Sequence, residues 1–190
     1  MPLLETNRLL LRDFVPLDWE AINTVLSDPE VTRYMHFAAW TEEKRREWFD
    51  WCIDNSHELN PDVYNWAIAL KTTGIVIGWL GIGAASHPTM DHERDFGYAL
   101  DRHAWGHGYM TEALRAVLAF EFEALGTHRI FATCETANRA SARVMEKAGM
   151  HYEGTFDDTD SEGNQALRHR YAMHTNEYGS RDELRNGGSI

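Results

Sequence analysis

Apolar positions along this chain fall into short runs separated by turn residues, and each run has a readable period. Arg8-Leu9-Leu10-Leu11-Arg12 is an apolar run bracketed by charge and predicts a first strand. Asp18 stands at the N-cap of a helix through about Leu26, which Asp28-Pro29 ends. Thr41 caps the next helix, with Glu42 and Glu43 in a first turn whose dipole favours anions. Trp48, Trp51 and Cys52 recur at helical spacing and predict its buried stripe, which carries the helix to about His57. Tyr64–Leu70 and Ile75–Ile82, joined by Lys71-Thr72-Thr73-Gly74, predict an antiparallel hairpin. Phe96–Leu100 is a further strand. A helix opens near Gly108, with Leu114, Val117, Leu118, Phe122 and Leu125 on one face, and Ile130–Cys134 returns beside Phe96–Leu100. Asn138 caps a helix to Ala148 with Gly149 as its C-cap, and Tyr152–Phe156 and Leu167–Met173 are the last strands. This order predicts one mixed α/β (α+β) domain over residues 1–178 and a polar tail over 179–190.

The stretch His103-Ala104-Trp105-Gly106-His107-Gly108-Tyr109-Met110-Thr111-Glu112 sets two glycines at the mouth of a helix. Glycine is a poor helix former, so the pair asks for a reason. The first turn of a helix leaves backbone N–H groups without partners, and glycines leave the way to them open for an anionic phosphate. A tight strand–helix turn would also account for them. No Gly-Lys-Ser/Thr follows at P-loop spacing. Thr111 holds the third position of a dinucleotide fingerprint, and a hairpin precedes it, which argues against that fold. The pyrophosphate loop of a coenzyme A acetyltransferase is the phosphate reading that remains.

Charge narrows the partners. Eighteen Lys and Arg against thirty Asp and Glu give a net charge of −12, which repels a nucleic-acid backbone and suits cationic partners such as amines. The clusters Lys44-Arg45-Arg46 and Arg168-His169-Arg170 read as solvated charge. A length of 190 residues with 43% hydrophobic content fits one domain with a real core, and the aromatic supply permits a homodimer. Cys52 and Cys134 match no metal spacing and read as buried thiols in a reducing compartment. Charges at Glu5, Arg8, Arg12 and Asp13 interrupt any signal-peptide core, and Ile75–Ala85 is too short and glycine-rich to span a bilayer. A soluble cytoplasmic protein with no membrane partner is expected. His103 and His107 stand four apart, but Gly106 lies between them without the glutamate of a zinc helix, so no metal is expected. His87, His92 and His169 are isolated and read as surface or hydrogen-bonded residues.

Four separate stretches carry a family resemblance, in order. Thr6-Asn7-Arg8-Leu9-Leu10-Leu11-Arg12 is similar to an opening TxRLxLR strand, and Asp28-Pro29-Glu30-Val31-Thr32-Arg33-Tyr34 to a DPEVxRY segment. Trp105-Gly106-His107-Gly108-Tyr109-Met110-Thr111-Glu112-Ala113 is similar to a WGxGYxTEA loop. Asn138-Arg139-Ala140-Ser141 with Glu146-Lys147-Ala148-Gly149-Met150 is similar to an NxxSxxxxEKxGF helix. Over residues 5–175 the chain resembles the GNAT superfamily of N-acetyltransferases, of the RimJ/RimL-like ribosomal-protein type. His103 departs from the pattern, which has Gln or Arg there; a neutral histidine is a poorer phosphate partner.

The resemblance implies a single-domain GNAT-like fold, a mostly antiparallel sheet flanked by helices with a splayed parallel strand pair that binds CoA. It implies direct transfer from acetyl-CoA, the co-substrate, to a primary amine in a ternary complex. Near pH 7 an α-amine is roughly one-tenth neutral and a lysine about one part in two thousand, so a protein N-terminus demands less of a base. A small cationic amine is the alternative acceptor, and a non-catalytic CoA-binding module the alternative class. Tyr98, Ala99 and Leu100 are expected to offer a backbone N–H to the thioester oxygen. His103, Trp105, Gly106, His107, Gly108, Tyr109, Met110 and Thr111 are expected to form the pyrophosphate loop. Asn138 would meet the pantetheine amide, Arg143 a CoA phosphate, and Ser141 the departing sulfur. Among Asp157, Asp158, Asp160 and Glu162, Asp160 is the expected base, acting directly or through water, with Glu162 in reserve.

Overall fold

The computed structural model describes residues 1–35, 40–57, 62–85, 92–159 and 165–178. In chain order the elements are β1 (Leu4–Glu5), β2 (Leu9–Arg12), α1 (Trp19–Ser27), α2 (Pro29–Thr32), α3 (Glu42–Asn55), β3 (Val63–Leu70), β4 (Val76–Ala84), β5 (Glu93–Leu100), α4 (Tyr109–Glu123), β6 (Arg129–Glu135), α5 (Arg139–Ala148), β7 (His151–Thr159) and β8 (Gln165–His174). The strands form one sheet in the order β1-β2-β3-β4-β5-β6-β8-β7. Every pair is antiparallel except β5 and β6.

The two-residue period of a strand explains how the centre of the sheet is covered on both faces. Tyr64, Trp66 and Ile68 of β3 pack with Leu114, Val117 and Leu118 of α4. Ala67 and Ala69 face the other way, toward Ile22 and Val25 of α1 and Phe49 and Cys52 of α3. Burial on both faces erases the apolar–polar alternation, so β3 reads as an apolar run broken by the buried Asn65. The hairpin, the α4 face and both caps of α5 stand where the sequence places them. Leu125 lies half-buried against the same core.

Some expectations change. Asp18 does not cap α1 with its side chain. Its carboxylate accepts from the Val15 N–H at 2.9 Å and from Arg12 Nη1 at 2.7 Å, where a charged partner holds it more strongly than a helix end would. Asp28 ends α1 and also caps α2, accepting from the Glu30 N–H at 2.9 Å. β5 begins three residues before Phe96, because buried ion pairs carry Glu93 and Arg94 into the strand. In α3 the buried aromatic is Phe49, at 0% exposure, whereas Trp51 is 45% exposed. The helix turns Phe49 and Cys52 to the sheet, with Trp48 beside them packed on Trp79 at 5.2 Å.

Cys52 and Cys134 are both buried free thiols. Among the described residues, no helix is long and apolar enough to cross a membrane. The α3 correction is testable by urea denaturation. Phe49→Ala is expected to lose about 3–5 kcal/mol of stability. Trp51→Ala should stay within about 1 kcal/mol of the parent, and equal losses would place α3 in the wrong rotation.

Candidate active site

The glycine loop takes its shape from backbone geometry. A single 3-10 turn (Arg102–Ala104) follows β5, with Asp101 Oδ1 accepting from the His103 N–H at 2.7 Å. Gly106 and Gly108 then hold φ of 78° and 79°, left-handed values that cost any residue with a Cβ. A Cβ at Gly106 would meet no atom within 4 Å, so conformation and an open approach, not crowding, call for glycine there. Gly108 is the N-cap of α4, whose first-turn N–H groups point out of the helix mouth. Met110 turns its side chain into the core, so only its backbone N–H is left to meet a ligand, and Thr111 is nearly buried on the wall of a groove beside the loop.

One set of contacts clamps this loop to the start of the chain. Glu112 accepts from Thr6 Oγ1 at 2.6 Å, from the Arg8 N–H at 2.8 Å and from Arg8 Nε at 2.7 Å. Arg8 also donates from Nη1 to the His107 carbonyl at 3.0 Å and lies over the Tyr109 ring at 4.5 Å. Burial pushes the Glu112 carboxyl up, but the hydrogen bonds from Thr6 and Arg8 together hold it below its ordinary value. Arg8, Thr6 and Glu112 were not among the expected site residues. Their motif signals were visible, but a contact across 104 residues is not. The clamp borders a groove of about 540 Å³ that runs from Gly108 past Arg115 to Lys147.

Beside the loop, the sheet opens. β5 and β6 pair only through Glu93↔Arg129, Arg94↔Ile130 and Asp95↔Phe131. Beyond Asp95 the strands part. Backbone groups alternate along β5: the Glu93 carbonyl and the Asp101 N–H bond toward β4, and the His92 carbonyl bonds toward β6. Tyr98 and Leu100 therefore aim their N–H and C=O groups into the opening, and Ala99 aims its own at β4. Trp105 Nε1 donates to the Leu100 carbonyl at 2.9 Å, which leaves the Tyr98 and Leu100 N–H groups facing the gap. Ala99 thus supports the wall and is not one of the donors expected there. A Cβ at Gly78 would lie 2.1 Å from the Ala99 carbonyl, so only glycine lets β4 close on that wall.

The N-terminus of α5 meets the same gap. Asn138 Oδ1 accepts from the Ser141 N–H at 3.1 Å, which caps the helix and leaves the Asn138 amide NH₂ to donate elsewhere. The Tyr98 hydroxyl lies 2.9 Å from Ser141 Oγ and donates to the Ser141 carbonyl at 3.3 Å. Burial pushes the Tyr98 phenol far above its usual value, with the hydrogen bond between the two hydroxyls opposing. Cys134 lies beside the same serine, and burial pushes its thiol up as well. The cluster is therefore uncharged at neutral pH.

His103 is exposed in the turn before the loop, and Arg143 is exposed on α5. His107 uses Nδ1 on the Trp105 carbonyl at 2.8 Å and stacks on Tyr109 at 5.5 Å, so it braces the loop. Asp158 is paired with Arg168 at 3.3 Å, and Asp157 is exposed on β7. Asp160, Glu162 and His87 lie outside the described residues. His92 is exposed and packs on His128 at 5.2 Å, and His169 bonds Thr155 Oγ1 at 2.7 Å, so both are the surface or hydrogen-bonded residues expected. The basic clusters are built in rather than merely solvated. Arg45 bonds Asn23 and the Trp40 carbonyl, and Arg170 lies over Phe131 and Phe156.

Backbone N–H groups at an open glycine loop and a gap in a parallel strand pair fit a ligand with a pyrophosphate and an extended amide arm, as coenzyme A has. The chain matches the family described as the acetyltransferase (GNAT) domain over residues 8–151, and it belongs to that family. It is an acetyl-CoA-dependent N-acetyltransferase. It is 31% identical over 160 residues to the uncharacterized N-acetyltransferase YnaD of Bacillus subtilis (strain 168), covering 84% of this chain and 89% of that one. The GNAT-family acetyltransferase from Bacillus anthracis superposes with a TM-score of 0.78 at 30% identity, over 92% of this chain and 99% of that one. Mycobacterium smegmatis RimJ, solved with CoA-disulfide, superposes with a TM-score of 0.75 over 94% of this chain and 89% of that one; at 22% identity it shows the shared fold.

Two measurements test the loop. Gly108→Val is expected to weaken acetyl-CoA binding by at least about tenfold in titration calorimetry, because it adds strain at positive φ and bulk at the helix mouth. Unchanged affinity would remove the loop from the binding site. The Glu112 clamp has a definite pH sign. A depressed carboxyl gives stability that is full above its unfolded pKa, about 4.3, and lost as pH falls through the lower folded value. The difference in melting temperature between the parent and Glu112→Gln should therefore be constant from about pH 6 to 8, where the carboxyl is ionised in both states, and shrink below about pH 4. A gap that persisted in acid would overturn the clamp.

Proposed function

We propose that this enzyme is of the RimJ/RimL-like type and acetylates a protein N-terminal α-amine by direct attack in a ternary complex. The observation that carries the reading is the meeting of the Gly106/Gly108 loop and the Tyr98–Ser141 pair at one gap in the sheet. Acetyl-CoA supplies an activated acetyl thioester. The phosphates rest on the first-turn N–H groups of α4. Asn138 donates to the pantetheine arm, and Arg143, exposed on α5, meets a CoA phosphate. The Tyr98 N–H donates to the acetyl oxygen as negative charge develops there.

The neutral amine attacks the acetyl carbon, the C–S bond breaks, and its electron pair leaves on sulfur. Ser141 donates a hydrogen bond to that sulfur. Asp160, or Glu162, accepts the proton that the new amide sheds, directly or through water. An α-amine is the acceptor that asks least of such a base, being about one-tenth neutral near pH 7. The net charge of −12 also supports a second reading, a small cationic amine.

Mass spectrometry decides between the acceptors. Purified enzyme and acetyl-CoA are offered peptides with free N-termini, N-blocked lysine peptides, and polyamines or aminoglycosides. Acetyl on free N-termini alone is the expected result. Acetyl on the small amines alone would replace it with the second reading, and acetyl on lysine side chains alone would overturn both.

A further inference from the structure

Tyr98 is partly buried beside the gap, and its phenol is hydrogen-bonded to Ser141 and, among the described residues, to no charged group. Its hydrogen-bond partners among the described residues both belong to Ser141. The hydroxyl lies 2.9 Å from Ser141 Oγ and donates to the Ser141 carbonyl at 3.3 Å. Tyr98 of β5 and Cys134 of β6 thus flank Ser141 of α5, and the Ser141 N–H is already held by Asn138.

We infer that the Tyr98 hydroxyl is the positioning residue for Ser141: it donates to the serine and so turns the serine's own proton outward, toward the sulfur that leaves. This rests on the reading of Ser141 given above. The proton inventory supports it. A phenol has one proton, and both acceptors within its reach belong to Ser141. If that proton serves Ser141, the serine needs no proton to satisfy Tyr98, and its own O–H is free. If Ser141 instead donated to Tyr98, its proton would point into the wall of the cleft and the sulfur would go without a donor.

Relative acidities separate positioning from proton transfer. A free thiol has a pKa of about 8.5 and a phenol about 10, and burial raises the Tyr98 phenol further. Handing a proton from Tyr98 through Ser141 to a thiolate would leave a buried phenolate and run uphill. Tyr98 therefore keeps its proton throughout. No bond to Tyr98 or Ser141 is made or broken. The acetyl C–S electron pair leaves on sulfur, the N–C bond forms, and solvent protonates the free thiolate.

The test compares the parent, Tyr98→Phe, Ser141→Ala and the double variant, with an acceptor the parent acetylates. Tyr98→Phe is expected to lower kcat about tenfold, the loss of one neutral hydrogen bond. The KM for acetyl-CoA should stay within about twofold, since uniform binding is untouched. In the Ser141→Ala background the same change should have no further effect, because the proton that Tyr98 directs is gone. A purely structural tyrosine would slow both backgrounds alike and raise KM. Equal slowing in both, or no slowing in the parent, overturns the inference. A Ser141→Ala enzyme as fast as the parent overturns the serine reading and this inference with it. A Tyr98→Phe effect that fails while Ser141→Ala is slow overturns only the inference. Fluorotyrosine at position 98 keeps the ring's shape and is a stronger donor, so it should hold or raise kcat; a fall would also overturn it.

Discussion

The parallel ladder between β5 and β6 closes for three residue pairs and then stops, and the site depends on that stop. A complete ladder would satisfy the Tyr98 and Leu100 backbone groups against β6 and leave no gap. Charge secures the closed end. Glu93 and Arg129 are both cross-strand partners and a buried ion pair, and Arg129 reaches on to Glu153. Alongside, Arg94 lies 3.4 Å from Glu121, which is fully buried on α4 and takes a 2.6 Å hydrogen bond from Thr127. Breaking one partner of such a buried pair costs about 3–5 kcal/mol, far more than an exposed pair is worth. The strands are tied firmly below and left apart above.

Two helix mouths stand over the open end for the same reason. The chain leaves β5 and β6 at their C-terminal ends, where each continues into a helix. α4 brings its N–H groups with a glycine cap and no side chain in the way, and α5 brings Asn138 and Ser141. Tyr98, which reaches from β5 to Ser141, is the side chain that spans the gap. The loop's anchor lies outside the cleft altogether, in Arg8 and Thr6 at the edge of β2.

Periodicity found the elements whose burial is one-sided or whose ends carry a chemical mark. α4 has its apolar face and glycine cap, α5 has Asn138 and Gly149, and the β3–β4 hairpin has its turn. It missed the start of β5, because Glu93 and Arg94 are charged residues buried by partners far away in sequence. It missed β1, which is two residues long and held by pairing with β2. In α3 it took the larger ring of Trp51 for core, although the helix turns Phe49 inward. The glycine loop and Ser141 were legible from local motifs. The Arg8–Glu112 and Tyr98–Ser141 contacts were not, since they join residues 104 and 43 positions apart.

Strand order sets the timing of assembly. β8 is the last strand among the described residues, yet it lies between β6 and β7. The half of the sheet that carries α5 therefore cannot zip until its final strand has been made. At a synthesis rate of about 5–20 residues per second, Arg8 waits on the order of 5–20 seconds for Glu112 to emerge. The ligand cleft is thus a late product of translation, and a nascent chain without β8 leaves the facing edges of β6 and β7 unpaired.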